Sequence, residues 1–356
     1  MKDDIYILGI ESSCDETAAS VVKMTKSGKD ISKISVLSNI ISSQIEIHKK
    51  HGGVIPEIAA REHVINIIPT INEALKKSNI SKDKLSAIAV TSGPGLITSL
   101  ISGIETAKSL SLAWNKPLIA INHVEAHIYA NFVKDLNNIS YPAIILTVSG
   151  GHTILLKMNK NKRIEILGET RDDAAGEAYD KASKMLNLGY PGGPIISKLA
   201  SEYEKNIKNK KKHLEIKLPR PMINSNDYDF SFSGLKTALL YELKKDKNWQ
   251  RNKAAYAFSF QQAIIDTLCH KTLKAAKQYN VKTIMLSGGV SANKELRETL
   301  NKRIEQEFDK TNFICPELSY TTDNAAMVSV AACFKYVNNK FTKSTNLKAN
   351  PSLELK

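Results

Sequence analysis

The chain has 356 residues, 42% hydrophobic and 24% charged, an ordinary balance for a globular protein long enough to form two domains or lobes. Its formal net charge of +14 suits a polyanionic partner, nucleic acid first, or reflects a lysine-biased proteome. Cys14, Cys269, Cys315 and Cys333 are scattered without a CxxC pair, so neither a disulfide framework nor a thiolate zinc site is indicated and a reducing cytoplasm fits. The start Met1–Asp4 shows no signal peptide, and no apolar run is long enough to span a bilayer.

Ile5 to Ile10 and Thr17 to Lys23 are predicted strands. The small polar connection between them, within Gly9–Thr17, can hold a phosphate or a metal-bound anion, or be a plain turn. Ile34 to Ile41 reads as a third strand. His48, His51, Arg61 and His63 flank or begin a helix that Pro56 and Glu57 open and that runs to about Lys77. They form either a site or a set of separate hydrogen-bonded residues. Ala87 to Thr91 is a strand, followed by Ser92-Gly93-Pro94-Gly95 and a helix through about Trp114. Glycine and proline there admit a ligand to the helix N-terminus, or serve a tight turn.

Leu118 to Ile121 is a short strand leading into a helix within Ile121–Ala130. His123 and His127, four residues apart, share one face of that helix and can converge on a metal ion, a pattern two surface histidines would also give. Glu125 lies about 200° around the helix from His123. A zincin-type protease would need its glutamate directly after the first histidine, so a protease is a poor reading.

Ala143 to Val148 is a strand ending in Ser149-Gly150-Gly151-His152-Thr153, with a return strand to about Met158. This hairpin can wrap a phosphate with backbone amides, without a P-loop string. It repeats the layout near Glu11, which suggests an internal duplication. Asp172 to Lys181 enters a helix, with Asp180 a candidate for a ribose hydroxyl or a solvated helical residue. Tyr190–Pro194 is a rigid turn. Lys205 to Lys217 is lysine-rich, either solvated surface or a nucleic-acid contact. A helix capped near Ser233, a long helix from Asn252 to Gln278 and a strand from Thr283 to Leu286 follow. Ser287–Asn293 is a third glycine switch, leading to a helix to about Ile304. Asn312 to Cys315 is the last strand. Asp323 is expected as the N-cap of the last helix, and the polar tail from Asn338 as loosely held.

Together these strings resemble one family, the tRNA N6-adenosine threonylcarbamoyltransferases, formerly described as O-sialoglycoprotein endopeptidases. The matches run in the family's order from GIESSCDET at Gly9 through the Gln44–His63 segment, TSGPGL, NHVEAH, VSGGHT, GEAYDKASKML, YPGGP, FSFSGLKTA and SGGVSAN to TTDNAAM at Met327. VSGGHT and HVEAH are similar to the bacterial or organellar branch. Departures are Ser12 where threonine is usual, Thr321 where cysteine is frequent, and Ser197 where many relatives carry an aspartate, which puts one ribose contact in doubt.

The resemblance implies an α/β, two-lobed fold of the actin, Hsp70 and sugar-kinase (ASKHA) type, with a duplicated core and nucleotide in an interlobe cleft. The first lobe would span residues 1–136, joined again by the helix from about 324. The second would span 137–323 with a helical insertion at about 190–260, and 338–356 would be the polar tail. It also implies transfer of a threonylcarbamoyl group from threonylcarbamoyl-AMP to N6 of the adenosine beside the anticodon, in tRNAs reading codons that begin with adenine, with release of AMP. His123, His127 and Asp323 would hold one divalent ion, Fe2+ ahead of Zn2+, acting as template and Lewis acid. Thr147, Val148, Ser149, Gly150, Gly151, Asp180, Gly193 and Asn293 would meet the nucleotide, and Glu11 is the candidate to take the N6 proton. Implied partners are tRNA, a paralogous ASKHA-fold protein, a small P-loop ATPase and a separate threonylcarbamoyl-AMP synthase, in the cytoplasm and without a membrane. The lysine run would be a tRNA docking arm. The rivals are a metal-dependent endopeptidase, which fails on Glu125, an ATPase or small-molecule kinase of the same fold, which leaves the histidine pair idle, and a non-catalytic scaffold, which would not need the metal ligands.

Overall fold

In the computed structural model, which describes residues 3–28, 30–209 and 214–355, three strands open the chain: β1 (Asp3–Glu11), β2 (Glu16–Ser27) and β3 (Asp30–Ser43). β1 and β2 pair without a break from Asp3↔Lys26 to Glu11↔Ala18, which fixes the turn between them. α1 (Ile45–Lys49) and α2 (Pro56–Ser78) follow, the latter with proline in its first turn where no N–H partner is lost. Next come β4 (Ala87–Gly93), α3 (Ile97–Trp114), β5 (Leu118–Asn122), α4 (His123–Tyr129) and α5 (Phe132–Asp135). A second antiparallel set is β6 (Ala143–Val148), β7 (Thr153–Met158) and β8 (Ile164–Glu169). Then come α6 (Ala175–Met185), α7 (Gly192–Asn209), α8 (Ser233–Lys245) and α9 (Lys253–Gln278). β9 (Thr283–Ser287), α10 (Lys294–Glu307), β10 (Asn312–Ile314) and α11 (Ala325–Val337) complete the elements used below.

Two five-stranded sheets result, ordered β3-β2-β1-β4-β5 and β8-β7-β6-β9-β10. In each, three antiparallel strands are followed by two that pair in parallel across helical connections. The same topology twice is the duplication that the repeated hairpins announce. By contacts the chain divides into two units, Met1–Asn137 with Pro316–Lys356, and Asn138–Cys315. The core of the first unit is built by Leu8, Ile10, Val21, Ile88, Val90, Ile104 and their neighbours. That of the second gathers Ile144, Leu146, Tyr179, Phe230, Phe260, Ile264 and Leu286. Among the described residues no helix is long and apolar enough to cross a membrane.

Two local expectations change and one strand is added. α8 is capped from a distance rather than by Ser233. Asp172 Oδ1 accepts from the N–H groups of Phe232 and Ser233, and its Oδ2 accepts from both serine hydroxyls, Ser231 and Ser233. The strand β8, not among the predicted strands, has half of its residues exposed. The tail is not loosely held. Thr342 pairs with Leu118 at the edge of β5, Leu347 is 1% exposed in the first unit's core, and the Asn350 N–H reaches Ser92 at 2.8 Å. The lysine run lies partly outside the described residues, which exclude Lys210, Lys211 and Lys212.

Candidate active site

β1, β4 and β5 run parallel and adjacent, so their C-terminal ends share one edge of the first sheet, where open α/β sheets place their ligands. Ile10 pairs with Val90 and Thr91 with Ile121, and the next residues carry the chemistry. Glu11 ends β1, Thr91 lies near the end of β4, and His123 begins the helix that follows β5. Thr91 Oγ1 donates to Glu11 Oε2 at 2.6 Å, and the Ser13 N–H donates to Oε1 at 2.6 Å. His123 Nδ1 lies 3.2 Å from Glu11 Oε2 and 3.1 Å from Ser13 Oγ. The carboxylate and the turn therefore aim the other ring nitrogen of His123 outward from β1.

That nitrogen, Nε2, stands 3.5 Å from Asp323 Oδ1, and Nε2 of His127 stands 3.1 Å from the same oxygen. The two imidazoles meet edge to face at 4.7 Å between centroids. Asp323 is not the cap of α11. Asn324 takes that position, with its Oδ1 accepting from the Met327 N–H at 3.1 Å, and Asp323 is turned to the histidines. Three side chains so placed form a cluster able to hold a metal ion. Two further observations fit a cation. His127 Nδ1 is buried with no hydrogen-bond partner among the described residues, so the ring is oriented by its Nε2 side alone. Acidic groups also crowd the same region. Burial raises the pKa of Asp15, with Asp323 adding to it. For His123, burial works against the charged form, but Asp323 and Glu11 outweigh it and raise the pKa to about 9. The carboxylates that favour a charged His123 would favour a bound cation in the same way.

Glu125 faces away. Its carboxylate pairs with Lys335 of α11 at 3.0 Å. Among the described residues the other histidines form no common site. His63 Nε2 donates to the Cys14 carbonyl at 2.9 Å and its Nδ1 takes the Thr17 hydroxyl at 2.7 Å, while burial lowers the pKa of the ring. His48 accepts from the Ile55 N–H and bonds Gln44. Both brace the hairpin and α2, whereas His51 and Arg61 are exposed.

Glu16, which sequence reading passed over, is 9% exposed. Its Oε1 accepts from Ser43 Oγ at 2.7 Å, and Oε2 has no partner among the described residues. Burial, opposed by the Ser43 bond and reinforced by Asp15 and Asp323, pushes its pKa up to about 8. The folded chain thus holds this proton more tightly than the unfolded chain, whose value is near 4.5. Stability from this group is complete below pH 4.5 and falls as pH rises to about 8. In metal-free protein, Glu16→Gln should match the wild type at acid pH and exceed it by on the order of 2–4 kcal/mol above pH 8. Urea unfolding at both ends of that range measures this, and an equal difference at both would mean that folding does not raise the pKa of this side chain.

The nucleotide candidates all belong to the second unit. Thr147 Oγ1 bonds Ser287 Oγ at 2.8 Å across β6 and β9. Val148 is fully buried, and Gly288 (φ 84°) presses on its backbone so closely that no side chain would fit. The turn after β6 closes through Ser149 N–H to the His152 carbonyl at 2.8 Å. The first turn of α6 docks on it, Gly176 and Glu177 donating to Ser149 and Gly150. Gly150, Gly151 and Gly193 leave open space where a Cβ would stand. Asp180 Oδ1 accepts from the Gly192 N–H at 2.7 Å, beside Gly193. Asn293 caps α10 through the Leu296 N–H and donates to Gln261, with no direct bond to the other candidates among those described.

The doubled sheet topology defines a protein of the actin, Hsp70 and sugar-kinase class. HypF from T. kodakarensis shares it at a TM-score of 0.56 and 14% identity, covering 97% of this chain and 49% of that larger one. Full-length HypF in its phosphate- and nucleotide-bound form gives 0.58 and 12%, covering 94% and 46%. A family model for tRNA N6-adenosine threonylcarbamoyltransferase matches residues 35–330. The proteins of that name from Syntrophomonas wolfei and Thermosipho africanus are 47% and 46% identical, over 98% and 99% of this chain and 97% and 100% of theirs. The chain belongs to the tRNA N6-adenosine threonylcarbamoyltransferase family, and its reaction is threonylcarbamoyl transfer to tRNA.

Proposed function

We propose that the donor is threonylcarbamoyl-AMP and the acceptor N6 of the adenosine beside the anticodon, in tRNAs reading codons that begin with adenine, with AMP released. Family membership supports the transfer to tRNA, and the observation that supports a metal in it is the convergence of both Nε2 atoms on one Asp323 oxygen. His123, His127 and Asp323 would hold a divalent ion, Fe2+ first and Zn2+ second, since two imidazoles and a carboxylate suit both and leave positions open. When bound, the ion supplies Lewis acidity toward a carbonyl or carboxylate oxygen.

The chain's own side chains do the positioning. Glu11 accepts the His123 Nδ1–H, which fixes the tautomer and leaves Nε2 to face Asp323. With Ser13, Thr91 and His123 already on its two oxygens, Glu11 serves better as this orienting carboxylate than as the base for adenine N6. The open glycines after β6 and at the start of α7 would let Thr147–Gly151 and Gly193 approach a nucleotide closely, with Asp180 and Asn293 as polar neighbours.

For partners, we place the paralogous ASKHA-fold protein on α2, where Val64, Ile65 and Ile68 are exposed, and on α3, which packs against α2 and exposes Ile97 and Ile101. A small P-loop ATPase and the donor-making synthase complete the set, in the cytoplasm. Purified chain, helpers, threonylcarbamoyl-AMP and tRNA should yield N6-threonylcarbamoyladenosine by nucleoside mass spectrometry. Undiminished yield with a tRNA whose anticodon-adjacent adenosine is replaced would reject the acceptor.

A further inference from the structure

The C-terminal tail reaches the histidine helix. Asn122, 7% exposed, caps α4 by accepting from the N–H groups of Val124 and Glu125 at 2.9 and 3.1 Å. Its Nδ2 donates to the carbonyls of Leu353 and Glu354 at 3.1 and 3.2 Å. Only this orientation of the amide satisfies two donors on one side and two acceptors on the other, so one side chain joins the tail to the residue next to His123. The tail is also seated just before that joint. The Gly95 N–H donates to the Pro351 carbonyl at 3.3 Å, and Gly93 (φ 147°) has no room for a side chain because the Asn350 carbonyl lies against it.

α4 has seven residues, too few to hold its geometry by helix propensity alone. Its cap therefore has an unusual share in placing His123, the first helical residue. We infer that Asn122, gripped by the tail from Asn350 to Glu354, is a positioning residue for the metal site, and that the tail is part of that site's support. This rests on the assignment of His123, His127 and Asp323 as ligands.

The test uses the full chain, a chain ending at Ala349, the Asn122→Asp chain and the two changes combined. Aspartate keeps the cap acceptor but turns a carboxylate toward the tail carbonyls. The readouts are Co2+ affinity and the visible absorption spectrum of the bound Co2+. Each change alone should weaken Co2+ binding by about tenfold, the low end for an outer partner of metal ligands. Both should shift the spectrum in the same way, and the combination should be no worse than either alone. Helical circular dichroism should be retained, because the cap acceptor is kept in Asn122→Asp. Co2+ affinity and spectrum unchanged on truncation would overturn the inference, as would fully additive losses. A His123→Ala/His127→Ala chain separates the two failures: if it still binds Co2+ at this site's affinity and spectrum, the ligand assignment itself has failed.

Discussion

His123→Ala/His127→Ala is expected to leave a folded chain that binds no metal at this site and transfers threonylcarbamoyl at least about a thousandfold more slowly. Lewis-acid stabilisation of transition-state charge amounts to several kcal/mol, and each 1.36 kcal/mol is a factor of ten in rate. Folding should survive, because α4 keeps Val124, Ala126 and Ile128 in the core and alanine favours helix. His127→Ala is the cleaner single change. Its Nδ1 bonds nothing among the described residues, whereas losing His123 also strips a partner from buried Glu11. Metal content and nucleoside mass spectrometry on the same preparation check both halves. Wild-type rates in the double variant would remove the metal from the reaction.

The second large effect concerns assembly. Ile65→Glu/Ile68→Glu should abolish binding of the paralogous partner and, with it, multiple-turnover transfer. Ile65 and Ile68 are 64% and 47% exposed, so the free chain loses little packing and should melt normally. Burying an isoleucine contributes about 1.5–3 kcal/mol, so two such losses raise a dissociation constant by at least about a hundredfold, before the cost of desolvating two carboxylates. Metal content should not change, since neither residue touches the cluster. Calorimetric titration of the partner measures this, and wild-type affinity would show that the face serves something else.

What was readable beforehand follows from how each feature is encoded. The i,i+4 histidines and the glycine turns after strands are local patterns, and local geometry carries them. The doubled topology was visible as two similar hairpins, although the sheet order needed long-range pairing such as Ile10 with Val90. Asp323 and Asn324 are both good cap residues, and sequence could not say which would cap α11 and which would be left for the histidines. Asp172 caps α8 from sixty residues away, which no local rule detects. The tail is polar by composition, yet it is held mainly through backbone groups and the Asn122 amide, and these leave no hydrophobic period to read. Glu16 escaped for a similar reason, since burial of a strand's first residue depends on what packs over it.

The most direct test of the site is anomalous X-ray scattering at the absorption edge of the bound metal, from crystals of protein purified with its ion. One peak per chain is expected at about 2.0–2.2 Å from Nε2 of His123, Nε2 of His127 and a carboxylate oxygen of Asp323. A peak held by other residues, or none on an active preparation, would contradict the assignment.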